Sequence, residues 1–148
     1  MIVRQLSVIV ENRPGAITEV LAVLKENGVN LRASALAESG EFGIFRIVVN
    51  DPEKVERLLR NSNFTVRVTQ VLGLTLDDDA GSLYCNMRKL SDSGINVEYI
   101  YGFAASADIG ARVILKVDNL QLAVRILDRQ QPETNPNHEE DEIPEFYW

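Results

Sequence analysis

The chain carries one pattern twice. A displacement of 66 residues sets Gly15 on Gly81, Ile17 on Leu83, Leu21 on Met87 and Leu24 on Leu90. The same displacement sets Gly28 on Gly94, Val29 on Ile95, Asn30 on Asn96 and Leu31 on Val97. Past the next turn the displacement becomes 68, with Phe45 on Val113, Ile47 on Leu115, Val49 on Val117, Leu58 on Ile126 and Leu59 on Leu127. Two residues added in a hairpin turn keep the same side chains on the buried face of the strand. Two copies argue for a paired module, because stacked repeats need at least three.

The first copy, residues 1–70, reads as strand, helix, strand, strand, helix, strand. A strand over 2–10 runs into Asn12-Arg13-Pro14-Gly15, a turn and helix start. The helix over 16–27 buries Ile17, Val20, Leu21 and Leu24 at helical spacing, and Gly28 ends it. Strands over 30–38 and 42–49 flank Ser39-Gly40-Glu41. Asp51-Pro52 caps a second helix with Val55, Leu58 and Leu59 on its apolar stripe, and residues 64–70 form strand four. The second copy, 71–129, repeats this as far as Arg129, with its fourth strand atypical or missing. Residues 130–148 form a polar, proline-broken, acidic tail that ends in the apolar Ile143-Pro-Glu-Phe-Tyr-Trp148. This order predicts an α+β fold of two tandem ferredoxin-like βαββαβ sandwiches. Each unit alone has a thin core, so the two sheets are expected to join side by side.

Charge narrows the partners. The net charge is −7, and the tail alone holds −6 through Glu133, Glu139, Glu140, Asp141, Glu142 and Glu145, leaving −1 for the other 129 residues. A near-neutral body without a basic stripe gives nucleic acid no electrostatic purchase. No apolar run approaches a membrane span, and the opening strand is not a secretory signal pattern. Cys85 has no partner for an internal disulfide, which fits a reducing cytoplasm. It reads as a packing residue. His138 reads as solvated in the tail, and neither a metal ligand set nor a cofactor motif is present. No nucleophile–base arrangement is present, so no enzymatic activity is expected.

The stretch Leu6-Ser-Val-Ile-Val-Glu-Asn-Arg-Pro-Gly-Ala-Ile, its helix and Gly28-Val-Asn-Leu resemble the ACT domain, the small-molecule-sensing module of amino-acid metabolism. The second copy is similar, with Asp78-Asp-Ala-Gly81 as a degenerate elbow and Gly94-Ile-Asn-Val97 intact. The resemblance covers residues 1–129. The first forty residues also resemble the small regulatory subunit of acetolactate synthase, which carries a different C-terminal domain.

The resemblance implies sheets joined through their second strands, with a free amino acid between the elbow of one unit and the second-strand start of its neighbour. Asn12, Pro14, Gly15, Ala16 and Ile17 would then face Asn96 and Val97. Asp79, Gly81, Ser82 and Leu83 would face Asn30 and Leu31. Unpaired N–H groups and the helix dipole at an elbow favour a carboxylate, and asparagine or strand carbonyls suit an ammonium. Asp78 and Asp79 make the second elbow less hospitable to a carboxylate, so the first is expected to bind more strongly.

Plainer readings stand beside these. Pro14-Gly15 serves as a turn and helix start in any fold, and Asn30 and Asn96 fit helix termination equally well. Tyr99, Tyr101 and Phe103 alternate as sheet-face packing residues, with the seam between units as a candidate place for them. An acylphosphatase-like reading would place Arg13 in an anion-binding loop, but Pro14-Gly15 and the duplication fit sensing better. The function expected is a non-enzymatic, cytoplasmic, homodimeric metabolic sensor. The alternative is a regulatory subunit of an amino-acid biosynthetic enzyme such as acetolactate synthase.

Overall fold

The computed structural model describes residues 1–77, 79–104 and 111–128. The acidic segment 130–148 with His138, any fourth strand of the second copy, and the side chain of Phe103 lie outside the described residues. The elements are β1 (Ile2–Glu11), α1 (Ala16–Glu26), β2 (Ala33–Ser39), β3 (Phe42–Val48), α2 (Pro52–Asn61), β4 (Thr65–Leu76), α3 (Ser82–Asp92), β5 (Val97–Ala104), β6 (Ala111–Val117) and α4 (Leu120–Asp128).

The repeat in the letters is a repeat in the hydrogen bonds. α1 and α3 begin behind Gly15 and Gly81, at φ 87° and 95°, a backbone region that a side chain strains. The Glu19 amide donates to the Gly15 carbonyl at 3.0 Å, and the Cys85 amide to that of Gly81 at 2.9 Å. Both helices close alike, with Val29 N–H on the Leu24 carbonyl at 2.9 Å and Ile95 N–H on that of Leu90 at 3.0 Å. The Asp51 carboxylate accepts from the Lys54 amide at 3.0 Å, capping α2. The Asn119 side-chain oxygen accepts from the Leu122 amide at 3.1 Å, at the start of α4. Each donor and acceptor of these pairs is displaced by the same 66 or 68 residues as the letters.

The six strands form one sheet in the order β2-β3-β1-β4-β6-β5. β4 does double duty. Its residues 65–72 pair antiparallel with β1, and 72–76 pair antiparallel with β6. The fourth strand of the first unit is therefore also the first strand of the second. The strand expected to end at Gln70 continues to Leu76, because the backbone stays extended through Gly73, whose amide donates to the Met1 carbonyl at 2.8 Å. The side-by-side join is present, but it runs through β4. Among the described residues the join through second strands is not made, and β2 and β5 are the outermost strands of the sheet.

Among the described residues three apolar clusters hold the fold. Leu6, Val8, Val10, Phe45 and Ile47 pack under Val20 and Leu24 of α1 and Val55 and Leu59 of α2. Leu72, Leu115 and Val117 pack with Leu90 of α3 and Ala123 of α4. The third cluster lies on the other face, where Val3, Ala33, Val48, Val71 and Ile114 meet Tyr99 and Tyr101. The coiled sheet thus lays β5 across the helix-free face of the first unit, bringing the outer strands β2 and β5 into contact. Gln5, fully buried in this seam, donates to the Tyr99 hydroxyl and accepts from that of Tyr101, both at 2.8 Å. The Arg46 guanidinium stands 4.0 Å above the Tyr99 ring. Tyr99 and Tyr101 are seam residues, as their alternation suggested.

Candidate functional site: the β1–α1 elbow

β1 ends at Glu11 and α1 starts at Ala16, so Asn12-Arg13-Pro14-Gly15 turns the chain at the rim of the sheet. Asn12 N–H donates to the Glu41 carbonyl at 2.9 Å, and its side-chain amide to the Gly40 carbonyl at 3.0 Å, tying the elbow to the β2–β3 turn. The Ala16 amide returns to the Arg13 carbonyl at 3.3 Å. Among the described residues the amides of Gly15, Ile17 and Thr18 have no acceptor. They are the orphan donors of a helix start.

Arg13 is held between two carboxylates. Its Nε lies 2.6 Å from Glu11 Oε2, and its Nη1 lies 3.0 Å from Glu19 Oε1. The hydrogen bond to Glu19 first, then that to Glu11, hold the guanidinium protonated even more firmly than usual. A cleft of about 70 Å³ opens beside it, walled by Val10, Ala16, Ile17, Leu36 and Gly43, with Glu11, Asn12, Arg13 and Glu38 at its polar edge. A wider cleft of about 240 Å³ lies on the β4 side, between Glu11, Arg13, Glu19, Phe42 and the Asn63-Phe64-Thr65 turn.

Of the residues expected at the site, the first cleft brings together Asn12, Ala16 and Ile17, with Gly15 setting the bend behind them. Asn96 and Val97 do not line it. Asn96 lies at the start of β5, where its amide meets the Asp118 carboxylate at 3.1 Å. Asn30 is exposed, and Leu31 packs on the first core. Neither is among the residues lining the two clefts described above. The facing walls come instead from the neighbouring strands of the same unit, through Leu36, Glu38 and Gly43. Sequence reasoning missed these three, although the tight Gly40 turn sets β2 and β3 in the register that brings Leu36 opposite Phe45.

The second elbow has the same backbone and different chemistry. The Ser82 amide returns to the Asp79 carbonyl at 3.1 Å, as Ala16 does to Arg13. Asp79 stands where the first unit has Arg13, and Asp77 where it has Glu11. Asp78 lies outside the described residues. Loss of the one cation leaves only acidic side chains among the charged residues of that turn.

Among the described residues no group of three or more His, Cys, Asp and Glu is placed to hold a metal, and no helix is long and apolar enough to cross a membrane.

Comparison with known proteins places this architecture. No curated protein matches the chain. Protein BT0572 from Bacteroides thetaiotaomicron has a crystal structure that superposes with a TM-score of 0.81 at 35% identity, over 87% of this chain and 88% of that one. The ligand-free regulatory subunit of aspartate kinase from Thermus thermophilus superposes at 0.58 with 14% identity, over 86% and 91%. The aspartokinase alpha and beta subunits superpose at 0.55 with 16% identity, over 86% and 95%. The last two show the shared fold. A family described as the ACT domain pair matches residues 1–132. The chain belongs to the ACT domain pair family.

Proposed function

We propose that the protein is a non-enzymatic regulator that binds a free amino acid at the first elbow, at an interface between ACT units, and reports metabolic state. One observation carries this reading: the first turn of α1, where the Ile17 amide has no acceptor among the described residues, lines one cleft with the carboxylates Glu11 and Glu38. Amides at a helix start take a carboxylate, and carboxylates take an ammonium. Both charged ends of a zwitterion thus have counterparts around one cleft.

β2, which supplies Leu36 and Glu38, is an outermost strand of the sheet. A second chain adding there would cover the cleft, and a cytoplasmic homodimer is the assembly this reading calls for. Ligand binding would act by favouring one arrangement of units over another, with a coupling of about 1–3 kcal/mol.

The test is a thermal-shift screen of the full chain against the twenty amino acids. A ligand at about 100 times its dissociation constant adds about 2.7 kcal/mol of apparent stability. A shift with one amino acid, abolished by Gly15→Val and kept by Gly81→Val, supports the reading. A flat panel overturns it.

The aspartate kinase neighbour is itself a regulatory subunit, which favours a second reading in which this chain regulates a biosynthetic enzyme. The aromatic end of the tail would then dock on that enzyme. A chain ending at residue 130 that retains the enzyme on affinity capture as well as the full chain does would refute this docking.

A further inference from the structure

We infer that the first elbow takes a short aliphatic amino acid, and that Gly43 sets the upper limit on its side chain. The inference rests on the amino-acid reading above and names the ligand class.

Polarity comes first. Beneath the rim the cleft is walled by Val10, Ala16, Ile17 and Leu36, all apolar. The polar groups at its edge are mostly committed. Asn12 donates to Gly40, and Arg13 is shared by Glu11 and Glu19. Glu38 is the exposed carboxylate left to meet an ammonium. An acidic ligand side chain would face both Glu11 and Glu38 with the nearby cation already neutralised, so it is repelled.

Size comes second. The cleft offers about 70 Å³, and one water needs about 10–15 Å³ of such space. That is room for a handful of non-hydrogen atoms: the α-carbon frame and a short branched side chain. A phenyl ring or a lysine stem on the same frame exceeds it.

The missing side chain at position 43 creates this room. A Cβ there would lie 3.2 Å from Leu36 Cδ1 and 3.4 Å from both Val10 Cγ2 and the Ala37 carbonyl oxygen. Two of those three atoms belong to walls of the cleft. A methyl group would crowd the Leu36 and Val10 walls and occupy part of the cleft. The second unit lacks this arrangement. Leu36 sits opposite Phe45, and Gly102 sits opposite Val113, the repeat counterpart of Phe45. Position 43 corresponds to Ala111, at the displacement of 68. Both positions of the second wall are thus small, and the first unit alone combines the glycine, the leucine and the arginine.

Titration calorimetry on the full chain, with glycine, L-alanine, L-valine, L-leucine, L-phenylalanine, L-aspartate and L-lysine, tests this. The expected result is tightest binding of alanine or valine, by at least about tenfold over phenylalanine, aspartate and lysine. Gly43→Ala is expected to weaken valine about tenfold and glycine less than about threefold. Leu36→Ala, which widens the cleft and keeps Gly43, is expected to admit leucine or phenylalanine. Tightest binding of an aromatic or charged amino acid overturns the ligand class, and if Gly15→Val abolishes that binding the amino-acid reading survives. Equal weakening of every ligand by Gly43→Ala, with an unchanged preference in Leu36→Ala, overturns the role of Gly43. Silence across the whole panel overturns this inference together with the reading beneath it.

Discussion

The side-chain amide nitrogen of Gln5 lies 2.8 Å from the hydroxyl oxygen of Tyr99, ninety-four residues away, and joins the two units across a buried face. Gln5 also accepts from Tyr101 and donates to Ser7, so its amide is satisfied without water. A buried amide with all its partners fixes one relative placement of the units. A slipped placement would leave three polar groups unpaired.

Replacing Gln5 with Leu leaves both hydroxyls without that partner. We expect a loss of about 1–3 kcal/mol for each buried group left unpaired, read as a lower urea midpoint. A midpoint equal to that of the parent would show that the seam tolerates either chemistry.

Tyr101 gives the seam a pH dependence. Burial first, then the neighbouring Tyr99, raises its hydroxyl pKa well above the ordinary value. The folded state therefore holds the proton where the unfolded chain, with a tyrosine pKa of about 10, releases it. Its contribution is complete below about pH 10 and is lost as pH climbs toward the folded value. Urea midpoints from pH 8 to 11 should fall more steeply for the parent than for Tyr101→Phe.

Gly15 and Gly81 should cost the same to replace and mean different things. An alanine at either positive φ is expected to destabilise by about 1–3 kcal/mol. Only the larger Gly15→Val should remove an amino-acid response, with Gly81→Val as the control for strain. Calorimetric unfolding with and without ligand separates the two effects.

Arg13 offers the opposite contrast. Its ion pairs are solvent-exposed, and such pairs contribute little to stability. Arg13→Asp copies the second elbow, so it should barely move the melting temperature while weakening an amino-acid ligand about tenfold or more. A variant that binds as the parent does would show that the backbone amides alone hold the ligand.

Capping is the simplest check on the duplication. Asp51→Ala and Asn119→Ala each remove one side-chain acceptor at a helix start. Each should cost about 1 kcal/mol, and the sites are far enough apart in the chain and in separate cores for the double variant to show the sum.

What could be read in advance follows the range of the interaction. Gly15, Gly28, Asp51 and their counterparts act within a few residues, so their letters name their roles. The passage of β4 through Gly73 was hidden, because Thr69, Gln70 and a glycine look like the end of a strand. Only the partners β1 and β6 show that it continues. Gln5 carries no mark of burial in its own strand, because that burial depends on tyrosines from the other copy. Leu36, Glu38 and Gly43 enter the cleft through strand register, which a single strand does not display.

A strand owned by two units behaves as an axle. β4 is hydrogen-bonded to β1 along one stretch and to β6 along the next, with Leu72 common to both. Neither unit can turn against the other without shearing one of those ladders, and the Gln5 seam clamps the same joint from the side. Any relative motion of the units must therefore bend β4 itself, while β2 and β5, the outermost strands among the described residues, rest on each other across the helix-free face.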